Sequence, residues 1–371
     1  MTKDERKKMK AKNILLCAIG VCSLFMSSCQ SKQAVLSTAP RWSEQKANDW
    51  YAPLPWMAGA DYINADAINQ IEMWSGDTYN HDQIDKELTW AEDLGFKTLR
   101  VYLSSVVYEH DPEGLKTRMD DFLNICQRHG IRPLFVFFDD CWNAESSYGK
   151  QPAPKPGIHN SGWVRDPSAS LRKDTVSLYP KMEKYLKDIL TTFKDDDRVL
   201  LWDRWNEPGN SNQGVRTLPM LKRVFEWARE VNPSQPLTSG VWRWNDEFAP
   251  LNAFQLQNSD VISYHNYKDV ADHTECIKYM AMFNRPMFCT EYMARRDKSF
   301  FQTIMPLLKK HKVAAINWGF VAGKTNTIFA WSNPMPNVKE PPVWFHDILR
   351  QDGTPFSQEE VDCIKSLTKG K

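Results

Sequence analysis

The chain has 371 residues, 42% of them hydrophobic and 12% aromatic, with 47 Lys+Arg against 46 Asp+Glu for a formal net charge of +1. That composition suits a globular protein with a large core and excludes a disordered or fibrous one. The balance of charge leaves no basic footprint for nucleic acid, so no such partner is expected.

Taken in chain order, residues 1–28 differ from the rest. A basic start (Lys3, Arg6, Lys7, Lys8, Lys10, Lys12) precedes an apolar run from Ile14 to Met26, then Ser27, Ser28 and Cys29. The run is too short to span a bilayer comfortably and reads as the core of a signal peptide. The residues before Cys29 resemble the lipobox of bacterial lipoproteins, which implies acylation of Cys29, export, and anchoring to a membrane facing the periplasm or the cell surface. A plain secretory signal cleaved nearby is the rival reading. Residues 29–48 read as a polar tether and 49–371 as one domain, since no Gly/Ser-rich linker divides it. Without its first 28 residues, which hold six basic and two acidic side chains, the chain keeps 41 basic residues against 44 acidic, a formal charge of −3. The cysteines beyond Cys29 are Cys126, Cys141, Cys276, Cys289 and Cys363. An odd number without CxxC spacing indicates neither a disulfide scaffold nor a zinc site, and no metal or cofactor is expected.

Eight short β-rich runs follow, at 56–63, 97–103, 131–138, 199–206, 236–242, 260–267, 286–293 and 313–320. Between them lie amphipathic stretches at 81–95, 114–130, 179–193, 219–231, 270–283 and 300–311, with a weaker one near 246–258. The first places Ile84, Leu88, Ala91 and Leu94 on one stripe and ends at Gly95, and the second ends at Gly130, both suited to a helix C-cap. Strands alternating with helices predict a parallel sheet, and eight of them predict closure into a (β/α)8 TIM barrel. No G-x-G-x-x-G follows the first strand, which argues against an open nucleotide-binding sheet. GFVAGKT at 319–325 imitates a P-loop but has three residues between its glycines where four are needed.

Two long connections, 139 to about 174 and 321 to about 346, leave the C-terminal ends of strands three and eight, the face where barrel active sites are built. They are expected to wall in one end of a cleft, which favours an exo-acting or short-oligosaccharide enzyme over an open-groove endo-enzyme. LWDRWNEPGN, at 201–210, carries an apolar strand to Asn206, Glu207 and Pro208. Glu291, near the tip of strand seven, lies across the barrel mouth from Glu207. Adjacent residues on a regular strand face opposite ways, so Asn206 and Glu207 share a site only if the strand ends or bulges there.

Asn206-Glu207-Pro208, His265 and Tyr267 in SYHNY, Glu291, Arg100 in TLRVYL and Trp318 in NWGF resemble, strand by strand, the retaining glycoside hydrolases of the clan that carries its acid/base on strand four and its nucleophile on strand seven. The likeness is strongest to family 5, the cellulase and mannanase group. It implies double displacement on β-linked oligo- or polysaccharides, with Glu207 as acid/base and Glu291 as nucleophile. Glu207 would hold its proton through an apolar surround that includes Trp205 and through the charge of Glu291. Glu291 would be kept ionised by Arg100 and Tyr267. Asn206, Arg100, His265, Tyr267 and Trp318 would bind substrate, Asn206 through the sugar 2-hydroxyl and Trp318 by stacking. FFDDCW departs from the family, which often has His at the end of strand three. Here Asp139 and Asp140 stand there, to bind sugar or to pair with Arg100. Trp142, Trp163, Trp242, Trp244, Trp331 and Trp344 are candidates for the rim. The rival readings make Glu207 a helix-start carboxylate, Glu291 a partner of Arg295 or Arg296, Arg100 a counter-ion to a buried acid such as Asp139 or Asp61, and His265 and Trp318 core residues. At the level of function, the rivals are a glycan-binding lipoprotein without hydrolysis and a transglycosylase using the same residues.

Overall fold

The computed structural model describes residues 39–370. The expected signal segment and the lipid-bearing Cys29 lie outside the described residues. Eight strands form: β1 Ala58–Tyr62, β2 Thr98–Tyr102, β3 Leu134–Asp139, β4 Leu201–Asn206, β5 Leu237–Thr238, β6 Ile262–His265, β7 Met287–Glu291 and β8 Ala314–Asn317. All eight expected strands are present, most of them shorter at their ends than the sequence runs. They pair in parallel in the order β5-β4-β3-β2-β1-β8-β7-β6. The circle closes between β5 and β6 through the bridge of Val241 to Tyr264, with His265 N donating to Val241 O at 2.9 Å. This is a (β/α)8 TIM barrel.

The strands are buried almost throughout, as expected where helices cover a parallel sheet on the outside and side chains fill it inside. Helices His81–Asp93, Pro112–Arg128, Thr175–Phe193, Leu218–Val231, Ala249–Asn258, Val270–Ala281 and Phe301–Lys310 occupy the seven expected positions. Gly95 and Gly130 follow the first two at φ +76° and +65°, conformations that a side chain would disfavour. A helix at Gln358–Thr368, which the hydrophobic pattern did not single out, completes the outer ring after β8.

The expected tether ends earlier than residue 48. Arg41 donates to the carbonyls of Ser259 and Leu256 at 2.6 and 2.8 Å, and Glu44–Tyr51 is a helix. Its Trp50 and Tyr51 pack on Phe288 beneath the barrel, against a layer formed by Met57, Leu134, Leu201, Val261, Ala314 and Ile316. These aromatics seal the lower barrel mouth, and burying them ties down a segment whose polar neighbours suggested solvation. Among the described residues, no helix is long and apolar enough to cross a membrane, and all five described cysteines are free thiols.

Candidate active site

Above the apolar layer the barrel interior turns polar. Arg100 on β2 is fully buried, and its guanidinium donates to Asp61 Oδ1 at 2.8 Å, Glu291 Oε1 at 2.9 Å, Asp203 Oδ2 at 2.8 Å and Asn206 Oδ1 at 2.8 Å. One cation among three buried acids requires a proton nearby. Burial lifts Asp61 well above the usual carboxylate range, the Glu291 and Asp203 charges adding to the rise and Arg100 opposing it. Arg100 itself lies beneath the cleft rather than in its lining, and meets the cleft through Glu291 and Asn206. Tyr102, two residues on and on the same face, places its hydroxyl 3.2 Å from Glu291 Oε1. Tyr267 donates to the other oxygen, Oε2, at 2.6 Å.

Glu207 reaches the same site because β4 stops at Asn206 and Glu207 adopts φ +43°. That left-handed turn swings its carboxyl inward, where a continued strand would have pointed it at the surrounding helices. Asp140 pins the turn by accepting from Gly209 N at 2.6 Å and Thr217 Oγ1 at 2.6 Å, with Arg172 on its other oxygen. Cys141 donates its thiol proton to Glu207 Oε2 at 3.2 Å, Asn210 donates to the same oxygen, and His265 Nδ1 lies 2.9 Å from Oε1. Trp205 is not part of this surround. Its ring packs with Phe138 between sheet and helices, where β4 places it.

His265 bridges the two carboxyls, with Nδ1 2.9 Å from Glu207 and 3.3 Å from Glu291. Burial pulls the imidazole down to about 4, against the pull of the Glu291 charge, so near neutral pH it is an uncharged donor. One oxygen of Glu207, one of Glu291 and a nitrogen of His265 lie within 4.8 Å of one another. Such a set has the spacing of metal ligands, but the Arg100 guanidinium already sits on Glu291 and opposes a second cation. Burial raises both carboxyls above the ordinary glutamate value. At Glu291 the neighbouring Glu207 adds to this rise, while His265, Arg100 and Tyr267 offset it. At Glu207 the Cys141 and Asn210 hydrogen bonds and the more distant Arg100 charge offset it, while the Asp140 charge adds to it.

Asp139 neither pairs with Arg100 nor faces solvent. It accepts from Asn206 Nδ2 at 2.9 Å, Trp163 Nε1 at 2.7 Å and its own loop's Cys141 N at 2.8 Å, and burial pushes it up to about 6. Asn206 is thereby oriented from both ends, its carbonyl on Arg100 and its amide on Asp139. Its remaining N–H meets only the Cys141 sulfur at 3.4 Å, a weak acceptor that a sugar hydroxyl can replace. Trp318 lines the cleft with its ring edge-on to Tyr102 and Trp163. Arg295 pairs with Glu360 and so leaves Glu291 to Arg100.

Six of the seven expected barrel-site residues thus share one cleft of about 960 Å³, with Arg100 directly below. Trp142, Trp163, Trp242, Trp244 and Trp331 line it too, whereas Trp344 is buried against Phe356. The sequence reading missed Tyr102, Asp203, Cys141 and Asn210. Tyr102 was within reach of it, two residues from Arg100. Asp203 was not, because it and Asn206 both reach Arg100 although three residues apart, a spacing that a regular strand would send to opposite faces.

A (β/α)8 barrel with two facing carboxyls at the tips of β4 and β7, in a cleft lined by aromatic rings, defines a glycoside hydrolase. Residues 58–324 match the family Cellulase (glycosyl hydrolase family 5), and the chain belongs to that family. No curated protein sequence matches the chain. Among solved structures, an exo-β-1,4-mannosidase from Opitutaceae bacterium strain TAV5 superposes with a TM-score of 0.58 at 18% identity, over 84% of this chain and 60% of that one. The chain therefore spans less than two thirds of that protein. The endo-1,4-β-mannanase of Rhizomucor miehei gives 0.54 at 12% identity over 84% and 98%, and the endo-β-1,4-mannanase of Thermotoga petrophila 0.54 at 13% over 84% and 76%. At these identities the likeness is one of fold.

Proposed function

We propose that the chain is a retaining β-glycosidase in which Glu207 is the acid/base and Glu291 the nucleophile. The observation that carries this reading is the approach of their carboxyl oxygens to within 4.8 Å. A retaining pair stands about 5–5.5 Å apart, whereas an inverting pair leaves about 6.5–9.5 Å for a water. The two carboxyls hold one proton between them, and it stays on Glu207, because Glu291 is the one that touches a guanidinium. In the first step Glu207 gives this proton to the glycosidic oxygen while Glu291 bonds to C1, releasing the leaving sugar. In the second, the Glu207 carboxylate takes a proton from water as its oxygen attacks C1, and Glu291 departs as a carboxylate. Two inversions leave the product in its original β configuration. Arg100, Tyr102 and Tyr267 position the nucleophile, Asn206 meets the sugar 2-hydroxyl, and Trp318 stacks on the ring.

β-Mannosides are the first substrates to test, since the fold relatives named above are a mannosidase and two mannanases. Proton NMR of the first product formed from an aryl β-glycoside tests the mechanism. The β anomer is expected, and initial release of the α anomer would exclude double displacement. A purely glycan-binding role is disfavoured because two mutually repelling carboxyls are a burden that binding alone does not need. Export as a lipoprotein acylated at Cys29 is part of the same proposal. Fatty-acid labelling that persists in C29A would contradict it.

A further inference from the structure

The loops after β3 and β8 are sewn together along one side of the cleft. Asn160 N donates to Thr325 O at 2.7 Å, Asn326 Nδ2 to Lys155 O at 3.0 Å, and Met335 N to Gly157 O at 3.0 Å. The approach is close enough that a Cβ on Gly157, at φ +72°, would lie 1.8 Å from the Met335 carbonyl oxygen. Such a seam, with buried residues on both strands of it, forms a fixed wall. The opposite side of the cleft, after β5, is open: Trp244 is 46% exposed and its neighbours Arg243 and Asn245 are exposed as well.

The wall contains polar groups that the protein leaves unused. Asn160 lines the cleft and is 1% exposed, yet neither its Oδ1 nor its Nδ2 has a partner among the described residues. Leaving both ends of a buried amide unpaired costs on the order of 1–3 kcal/mol per group, so a partner is expected to arrive with a ligand. Beside it, His159 donates Nδ1–H to Phe329 O at 2.8 Å, which makes its other ring nitrogen, also on the cleft side, an acceptor. An amide oxygen and an amide N–H side by side match two neighbouring hydroxyls on a pyranose ring.

The catalytic pair orients the substrate between wall and opening. A proton donor faces the departing sugar, and Glu207 shares its side of the cleft with Asn210 and the open β5 loop. The sugar attacked at C1 sits over Trp318, whose ring touches Trp163 of the walled side. The C3–C4 edge of that sugar, opposite C1, then faces the wall.

We infer that the enzyme removes single sugars from the non-reducing end of β-linked chains, and that Asn160, with His159, reads the outermost hydroxyls of the terminal ring. This inference rests on the retaining β-glycosidase reading above. It is tested with reducing-end-labelled tetraoses of β-1,4-linked glucose, mannose and xylose. Stepwise appearance of labelled trimer, then dimer, with free monosaccharide from the first time point, is expected for the one that is cleaved. Simultaneous labelled fragments of all lengths would overturn exo action while leaving the hydrolase reading intact. Absence of any hydrolysis together with absence of any covalent adduct on Glu291 would overturn both. For Asn160, a substrate lacking the terminal 4-hydroxyl should lose about 10- to 100-fold in kcat/KM with the wild type and little with N160A, the extent of Glu291 labelling showing that the variant is folded. Equal discrimination by both enzymes would remove Asn160 from the role.

Discussion

Glu291 and Glu207 share one cleft, both keep little of their surface exposed, and a single imidazole touches both. Their other neighbours differ in charge. Around Glu291 stand the Arg100 guanidinium and the hydroxyls of Tyr102 and Tyr267. Around Glu207 stand a thiol and an amide, both neutral, with the negative Asp140 close behind. Burial raises both groups, and only Glu291 has a cation in contact to offset it. On the proposed mechanism, two glutamates of equal intrinsic strength are thereby separated into one that keeps its charge and one that keeps its proton.

Removing either side of this contrast gives effects of different size and kind. E291A should lose the most, approaching the roughly 10⁶-fold scale of deleting a nucleophile, with initial-rate assays as the check. E207A should lose about 10²–10⁴-fold on substrates with poor leaving groups and much less on aryl glycosides whose leaving group needs no proton. The pH profile follows with a definite sign. Activity falls at high pH as the pair loses the proton on Glu207, and falls at low pH as it gains a second on Glu291. E207A should therefore lose the basic limb with an activated substrate, and a basic limb surviving unchanged would reassign the acid.

Arg100→Met probes the cationic side. Arg100 pulls the Glu291 value down, so its loss moves the acid limb to higher pH. It also leaves Asp203 and Glu291 unpaired in the interior, a destabilisation of about 3–5 kcal/mol measurable by denaturant titration. C141A is the smallest change. The thiol hydrogen bond holds Glu207 down, so its removal should move the basic limb slightly upward and leave the acid limb in place. A shift of the acid limb instead would show that Cys141 acts on the wrong carboxyl.

The barrel was readable because its evidence is periodic. Eight short apolar runs, the first seven each followed by an amphipathic stretch, need only local patterning to be seen, and Gly95 and Gly130 marked helix ends by their special backbone. The pairing of Glu207 with Glu291 became readable through closure, which turns 84 residues of separation into one cleft. What stayed hidden depends on irregular backbone. The left-handed Glu207, the odd spacing of Asp203 and Asn206 on one cation, and the use of Asp139 to orient Asn206 rather than to touch sugar all arise from strand ends that leave the period of two. The N-terminal plug was hidden for another reason: Trp42, Trp50 and Tyr51 lie among polar residues, and only the barrel floor explains why Trp50 and Tyr51 pack there.

The central claim is that Glu291 forms the covalent bond to sugar and Glu207 does not. An activated 2-deoxy-2-fluoro-β-glycoside, which forms the intermediate and then turns over slowly, tests it directly when followed by peptide mass spectrometry. The account predicts one equivalent of fluorosugar on the peptide containing Glu291. An adduct on Glu207, or full turnover of an ordinary aryl glycoside with no adduct on either glutamate, would contradict it.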